Sequence, residues 1–392
     1  MSSSTTYRKK IVLLTSRFPY PLEKGDKLRA YYQIRELSKT FDVYLIALTE
    51  KEIREEHISK IRSYCKKVHI YKLNTILKWI NGSLQFFGSK PYQVGYFYQG
   101  HIKRKIERFL SEIKPDHIIC QLIRTTEYAK DYHACDKTLD YMDALSKGME
   151  RRHKNATFFK RWLFKQEASR LLSYENRIFD YFEIHTIISE EDKNFIFHKH
   201  KNKIKVIPNG VGELFFHRPE NPTTFDIVFI GNMSYAPNIL AAKYIVNEIL
   251  PLLPPETTVL LGGAEPTAEV KQLQQKNVTI SGWMEDIRVA YSSGHVLIAP
   301  MFIGTGLQNK LLEAMALGVP CITTPLANKA LGAKVNDEIL IAETPEEFAK
   351  HFNQLRTDKQ LNETITVNGK KFVETNFNWQ QVTKKLIDNI GV

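Results

Sequence analysis

Short apolar runs alternate with helical patterns along the chain. In the first half KIVLLTS (Lys10 to Ser16), FDVYLIALT (Phe41 to Thr49), VHIYKL (Val68 to Leu73) and DHIICQL (Asp116 to Leu122) read as strands, with helical spacing over Lys27 to Lys39 and Glu52 to Cys65. Continuous apolar runs of this length between helices predict a parallel sheet covered on both faces. The alternation restarts in the second half with KVIPN, DIVFIGN, a helix from Asn238 to Leu250, TVLLGG, VTISG, VLIAP and CITT. A proline and two glycines in IPNGVG set the boundary near Lys203 to Gly212. The expected fold class is α/β, two Rossmann-like doubly wound parallel-sheet domains facing across a cleft, where the carboxyl ends of the strands gather ligands. Phe377 to Ile390 is helical in pattern.

Composition adds bounds. The 392 residues, 43% hydrophobic and 25% charged, supply two ordinary globular cores. No apolar run approaches the roughly 20 residues of a membrane-spanning helix, and IVLLT is too short for a signal-peptide core, so a cytoplasmic protein is expected. Cys65, Cys120, Cys135 and Cys321 are scattered without metal-ligand spacing, which predicts reduced thiols. Charge is uneven: residues 1–205 carry a net +16 and residues 206–392 a net −4. His57 to Ile106 contains ten Lys or Arg and no acidic residue, with Ile76, Trp79, Ile80, Leu84 and Phe87 at helical spacing. Arg151 to Arg170 sets Phe158, Phe159, Trp162 and Phe164 among seven Lys or Arg and one Glu. Such segments suit peripheral contact with an anionic membrane at its inner face. They equally suit amphipathic helices with aromatics on the core and a solvated basic face. Nucleic acid is not expected, since no binding motif accompanies the charge.

The chemistry concentrates in GTGLQNKLLEAMALG (Gly304 to Gly318), a glycine-bearing loop that enters a helix after the apolar run HVLIAPM. Backbone N–H groups and the positive end of a helix dipole hold phosphate at such a junction. Lys310 adds a charge in the first turn. Glu313 is a carboxylate among apolar neighbours, and burying it requires a hydrogen-bonding partner. Vicinal ribose hydroxyls would serve, with a diphosphate lying back toward Lys310. Alternatively Glu313 is one exposed helix position and Gly318 a C′ glycine.

GLQNKLLEAMALGVPCITT resembles the nucleotide-sugar signature of the family 4 glycosyltransferases, retaining enzymes of the GT-B fold. VIPNGVGELFF, IVFIGNMSYAPN and VTISGWMEDIRVAYSSGHVLIAP follow in the family's order, as the domain junction, the first strand and loop of the second domain, and the base-binding segment. The resemblance implies an N-terminal acceptor domain (1–205), a C-terminal donor domain (206–375) and a C-terminal helix (376–392) returning to the first. It implies that Glu313 binds the donor ribose. Two departures stand out: Thr305 occupies the position of the family's first glutamate, and the loop after IVFIG offers Asn232 and Asn238 where the family has an Arg and a Lys. Phosphate contacts redistributed onto Lys310 and backbone amides resemble a subgroup from bacterial exopolysaccharide clusters.

The expected donor site comprises Gly231 and Asn232, then Gly282, Trp283, Met284 and Asp286, then the loop and helix start Gly304, Thr305, Gly306, Leu307 and Asn309 with Lys310 and Glu313. Trp283 reads either as a base-stacking side chain or as core, and Asp286 begins the next helix. On the acceptor side Gly25, Asp26, Arg29, Arg124 and Asp143 are candidates by resemblance. Asp26 is either the N-cap of its helix or a base for the acceptor hydroxyl, and Asp140 with Asp143 forms a strand-end pair that suits either sugar hydroxyls or loop capping. Where many family members carry a cleft histidine this chain has Gln121 and Arg124, and His117 reads as structural.

These readings predict an enzyme moving a hexose-type sugar from a nucleotide diphosphate to a glycan or lipid-linked acceptor. Asp26, Lys310 and Glu313 carry the chemistry, with no cofactor and no metal. A sugar-nucleotide epimerase of the same fold and a non-catalytic scaffold that recruits a partner to the membrane are the alternatives. A Rossmann dehydrogenase is disfavoured because TSRFPYP lacks a close-spaced glycine fingerprint.

Overall fold

The computed structural model describes residues 7–85, 88–154, 158–220, 223–303 and 306–391. The chain forms two compact units, Met1–Asn209 with Val382–Val392, and Gly210–Gln381.

In the first unit seven strands make a wholly parallel sheet: β1 (Lys10–Thr15), β2 (Asp42–Thr49), β3 (Lys67–Lys72), β4 (His117–Gln121), β5 (Asp136–Asp140), β6 (Ile184–Ile187) and β7 (Lys205–Val206), in the order β3-β2-β1-β4-β5-β6-β7. The order reverses direction between β1 and β4. The KVIPN segment, read above as opening the second domain, supplies β7 through pairing of Thr186 with Lys205 and Ile187 with Val206. The division after Asn209 falls within Lys203 to Gly212, four residues past the 205/206 bound.

β5 and β6 escape a hydrophobicity reading because their interior positions are polar. Lys137 is buried, with its ammonium donating to the carbonyls of Lys130 and Tyr132. His117 is buried on β4, where Nε2 meets Thr138 Oγ1 at 2.8 Å and burial lowers its pKa to about 4, in line with a structural role.

The second unit carries six parallel strands, β8 (Phe225–Ile230), β9 (Val259–Gly262), β10 (Val278–Gly282), β11 (Gly294–Ala299), β12 (Cys321–Thr323) and β13 (Leu340–Ile341), ordered β10-β9-β8-β11-β12-β13. Here the switch falls between β8 and β11. Loops leaving the carboxyl ends of two such strands diverge and leave a crevice, the usual ligand site of an open α/β sheet. Its core gathers Ile227 to Ile230, Leu297 to Ala299 and the inward face of the helix Asn309–Ala316. The last helix, Trp379–Ile390, crosses from the second unit's residues into those of the first.

Candidate functional site

Four loops at the carboxyl end of the second sheet hold most of the expected donor residues. The first follows β8. Its Asn232 carboxamide accepts from Ser234 N and Oγ, at 2.8 and 2.7 Å, and its Nδ2 faces Glu265 Oε2 at 3.3 Å. Asn232 thus shapes the loop. Asn238, buried in the helix Ala236–Tyr244, donates Nδ2 to the Asn232 carbonyl at 2.8 Å.

This packing depends on glycine. A Cβ on Gly231 would stand 2.6 Å from Asn238 Nδ2, and one on Gly263, at φ +132°, would stand 1.9 Å from the Gly231 carbonyl oxygen. Backbone meets backbone here with no space for a side chain. Gly263 and Glu265, in the loop after β9, belong to the site although the sequence reading passed over them. GGAE directly after an apolar strand was the available signal.

The loop after β10 begins at Gly282, whose φ is +67°. Trp283 is 73% exposed, which removes the core reading and leaves the indole open for stacking. Met284 packs against the core. Asp286 caps the helix Ile287–Ser292 by accepting from Arg288 N, and its carboxylate pairs with the Arg288 guanidinium at 2.7 Å. Its oxygens serve the helix start, as its position at the head of that helix led us to expect.

The fourth loop leads from β11 to the helix Asn309–Ala316. Gly304 and Thr305 lie outside the described residues. Gly306 has φ +90°, Leu307 packs on the core, and Asn309 is exposed at the first helical position. No side chain caps this N-terminus. Gly318 follows the last turn at φ +70°, the C′ position expected of it.

Lys310 and Glu313 sit one turn apart on this helix. The Lys310 ammonium is buried against neutral groups: Asn238 Oδ1 at 2.5 Å, Met301 Sδ at 3.6 Å and the Phe229 ring, 4.4 Å to its centroid. Burial pulls its pKa down to about 7, opposed by Glu313. Glu313 is half-buried and accepts the Tyr291 hydroxyl at Oε2, 2.7 Å away. Burial pushes its carboxyl up to about 7, against the pull of that hydrogen bond and of Lys310. The exposed-position reading of Glu313 is thereby corrected: the carboxylate has a partner, Tyr291, which sequence spacing did not reveal.

At the switch point of the first unit the residues are more committed. The helix Gly25–Leu37 starts one residue before Asp26, and Lys24 is its N-cap. Asp26 is therefore not the cap. Its carboxylate pairs with Arg17, and its carbonyl accepts from Gln121 Nε2 at 3.0 Å. Gly25 is exposed with open space around it.

Arg29 is wholly buried, gripping Asp140 through Nε–Oδ2 at 2.6 Å and Nη2–Oδ1 at 3.2 Å, while Nη1 donates to Pro208 O and Asn209 Oδ1. Its donors are spent on tying β5 to the chain end of this unit, so it holds structure and does not face an acceptor. Asp140 is committed to Arg29 and Thr186, which splits it from exposed Asp143. Arg124 reaches Gln93 Oε1 and lies over Phe97.

Among the described residues no three His, Cys, Asp or Glu side chains converge as a metal would need.

Residues 224–358 match the family model described as glycosyl transferases group 1. An uncharacterized 44.6 kDa protein of the cps region of Klebsiella pneumoniae is 23% identical over 95% of this chain and 97% of its own. Glycosyltransferase 1 domain-containing protein 1 of Xenopus tropicalis is 31% identical over 20% of this chain and 23% of its own. The fold is shared with sucrose-phosphate synthase of Thermosynechococcus elongatus (TM-score 0.66, 14% identity, 97% of this chain and 98% of that one). It is shared too with Anabaena HepE, solved with UDP and glucose (TM-score 0.65, 14% identity, 98% and 100%). Residues 224–358 thus match the glycosyl transferases group 1 family, and the two parallel-sheet units carry the fold of GT-B glycosyltransferases.

Proposed function

We propose that the chain moves a hexose-type sugar from a nucleotide diphosphate to a glycan or lipid-linked glycan acceptor, retaining anomeric configuration, in surface polysaccharide assembly. One observation carries the reading: a half-buried carboxylate, Glu313, and a buried cation, Lys310, share one face of a helix that starts at the sheet's switch point. The carboxylate accepts the ribose hydroxyls. The diphosphate lies toward the helix N-terminus, where the dipole and Lys310 balance its charge.

During transfer negative charge grows on the leaving diphosphate, and these preorganised groups lower the barrier by stabilising it. Because the atoms that touch the Lys310 ammonium are neutral and Glu313 acts on it from one turn away, its positive charge is available to a polyanion. Trp283 offers a face to the base. Lys310 stands in for a metal, so chelators leave activity intact. Asp26, paired with Arg17, lies on the acceptor side. The complex of HepE with UDP and glucose supports the donor class, and the cps-region relative supports the pathway.

A thermal-shift screen against UDP, GDP, ADP and their sugars tests the reading, since a ligand of the native state raises the melting temperature. One base series should shift it, and NMR of the product should show transfer with the donor's anomeric configuration. No shift with any nucleotide, or sugar conversion without an acceptor, would contradict it.

A further inference from the structure

The helix Thr75–Leu84 is amphipathic in the reverse sense from a core-packed helix. Ile76, Trp79, Ile80 and Leu84 are 69%, 57%, 47% and 59% exposed, while the residue it buries most among its polar ones is Lys78. At 100° per residue these four apolar side chains fall on one side and Lys78 with Gly82 on the other.

The inward side is specified. The Lys78 ammonium reaches Glu50 Oε2 at 3.1 Å and lies 5.0 Å from the Tyr96 ring centroid. Tyr92, from the helix Tyr92–Phe97, packs so closely that a Cβ on Gly82 would stand 2.7 Å from its ring. The apolar side is therefore held outward by the packing of the other.

A second element adjoins it. In the helix Phe158–Phe179, Arg170 donates to the Gln85 carbonyl, and the Glu167 carboxylate accepts from Tyr92 N and Gln93 N at 2.7 and 3.0 Å. About one and a half turns before Glu167 comes Trp162, 58% exposed, flanked by exposed Arg161 and Lys165. Two exposed indoles thus occur on neighbouring helices, Trp79 within the His57 to Ile106 stretch of ten basic and no acidic residues and Trp162 beside Arg161 and Lys165. Tryptophans and aliphatic side chains beside lysine and arginine match the boundary between acyl chains and anionic headgroups.

We infer that the Thr75–Leu84 helix is a docking face for an anionic lipid bilayer, its Ile76, Trp79, Ile80 and Leu84 side chains entering the acyl boundary. Among the described residues no helix is long and apolar enough to cross a membrane, so the contact is peripheral. The inference stands on this surface alone and is independent of the donor-site reading.

Flotation of the full chain with phosphatidylcholine vesicles, with and without 30 mol% phosphatidylglycerol, tests it. Binding should be at least tenfold stronger to the anionic vesicles. The double substitution Trp79→Asp with Ile80→Asp should lower it tenfold or more while leaving the melting temperature and nucleotide-induced thermal shift unchanged. A Trp79→Phe variant should lose part of the quenching of tryptophan fluorescence by brominated lipid. Equal binding by the double variant, or no preference for anionic vesicles, would overturn the assignment. So would a dimer in sedimentation equilibrium that the double substitution dissolves, because a second copy would then cover the face.

Discussion

The phenol of Tyr291 donates to Oε2 of Glu313 across 2.7 Å, joining the helix after β10 to the helix after β11. It gives a half-buried carboxylate one fixed partner and sets the direction of the second oxygen. Tyr291→Phe should cost about 1–3 kcal/mol, the price of an unmet hydrogen bond to a charged group. The cost is pH-dependent. The Glu313 carboxyl is raised to about 7 from 4.5, so its contribution to stability is complete below pH 4.5 and is lost as pH rises through 7. Denaturant unfolding should show a larger loss for Tyr291→Phe at pH 8.5 than at pH 5; an equal loss would contradict the ionised acceptor.

Gly263→Ala should destabilise the second unit by more than about 2 kcal/mol, because the added Cβ meets the Gly231 carbonyl at 1.9 Å and the backbone is at φ +132°. Gly231→Ala displaces only the Asn238 amide. It should melt closer to wild type but bind nucleoside diphosphate more weakly, through a shifted Lys310. Thermal melts and calorimetry separate the two.

Asn238 offers Lys310 a neutral acceptor at 2.5 Å. Asn238→Asp would engage the ammonium in an ion pair and set a negative charge where phosphate is to bind. Affinity for the nucleoside diphosphate should fall at least tenfold with no loss of fold by circular dichroism. Unchanged affinity would place the diphosphate elsewhere.

Burial lowers the Lys310 pKa to about 7, so a share of its amine is neutral at pH 8. A bound diphosphate favours the ammonium, and binding should therefore draw in about one proton at that pH. Calorimetry in buffers of different ionisation enthalpy counts it. Lys310→Met should lower the uptake and Lys310→Met with Glu313→Gln should abolish it, since the Glu313 carboxyl is raised to about 7 as well; an uptake unchanged in Lys310→Met would remove Lys310 from the site.

Much of the layout was legible because parallel buried strands are continuous apolar runs, and β1, β2, β4, β8, β9 and β11 all lie in such runs. β5 and β6 were hidden because Lys137, Asp140, His185 and Thr186 are buried with tertiary partners that local pattern cannot show. The same holds at the sites. The position of Lys310 and Glu313 on one helix could be read from spacing, whereas Tyr291, Glu265 and Gly263 arrive from other strands' loops. Arg29 looked available in its helix turn. Its partner, Asp140, lies 111 residues away.

The most direct measurement is calorimetric titration of wild type and Glu313→Gln with the nucleoside diphosphate selected by thermal shift. The neutral isostere offers one acceptor oxygen in place of two, to be shared between the Tyr291 hydroxyl and the ribose, so affinity should drop at least tenfold, with the melting temperature of the free protein preserved or raised. Wild-type affinity in Glu313→Gln would contradict the claim that this carboxylate holds the donor.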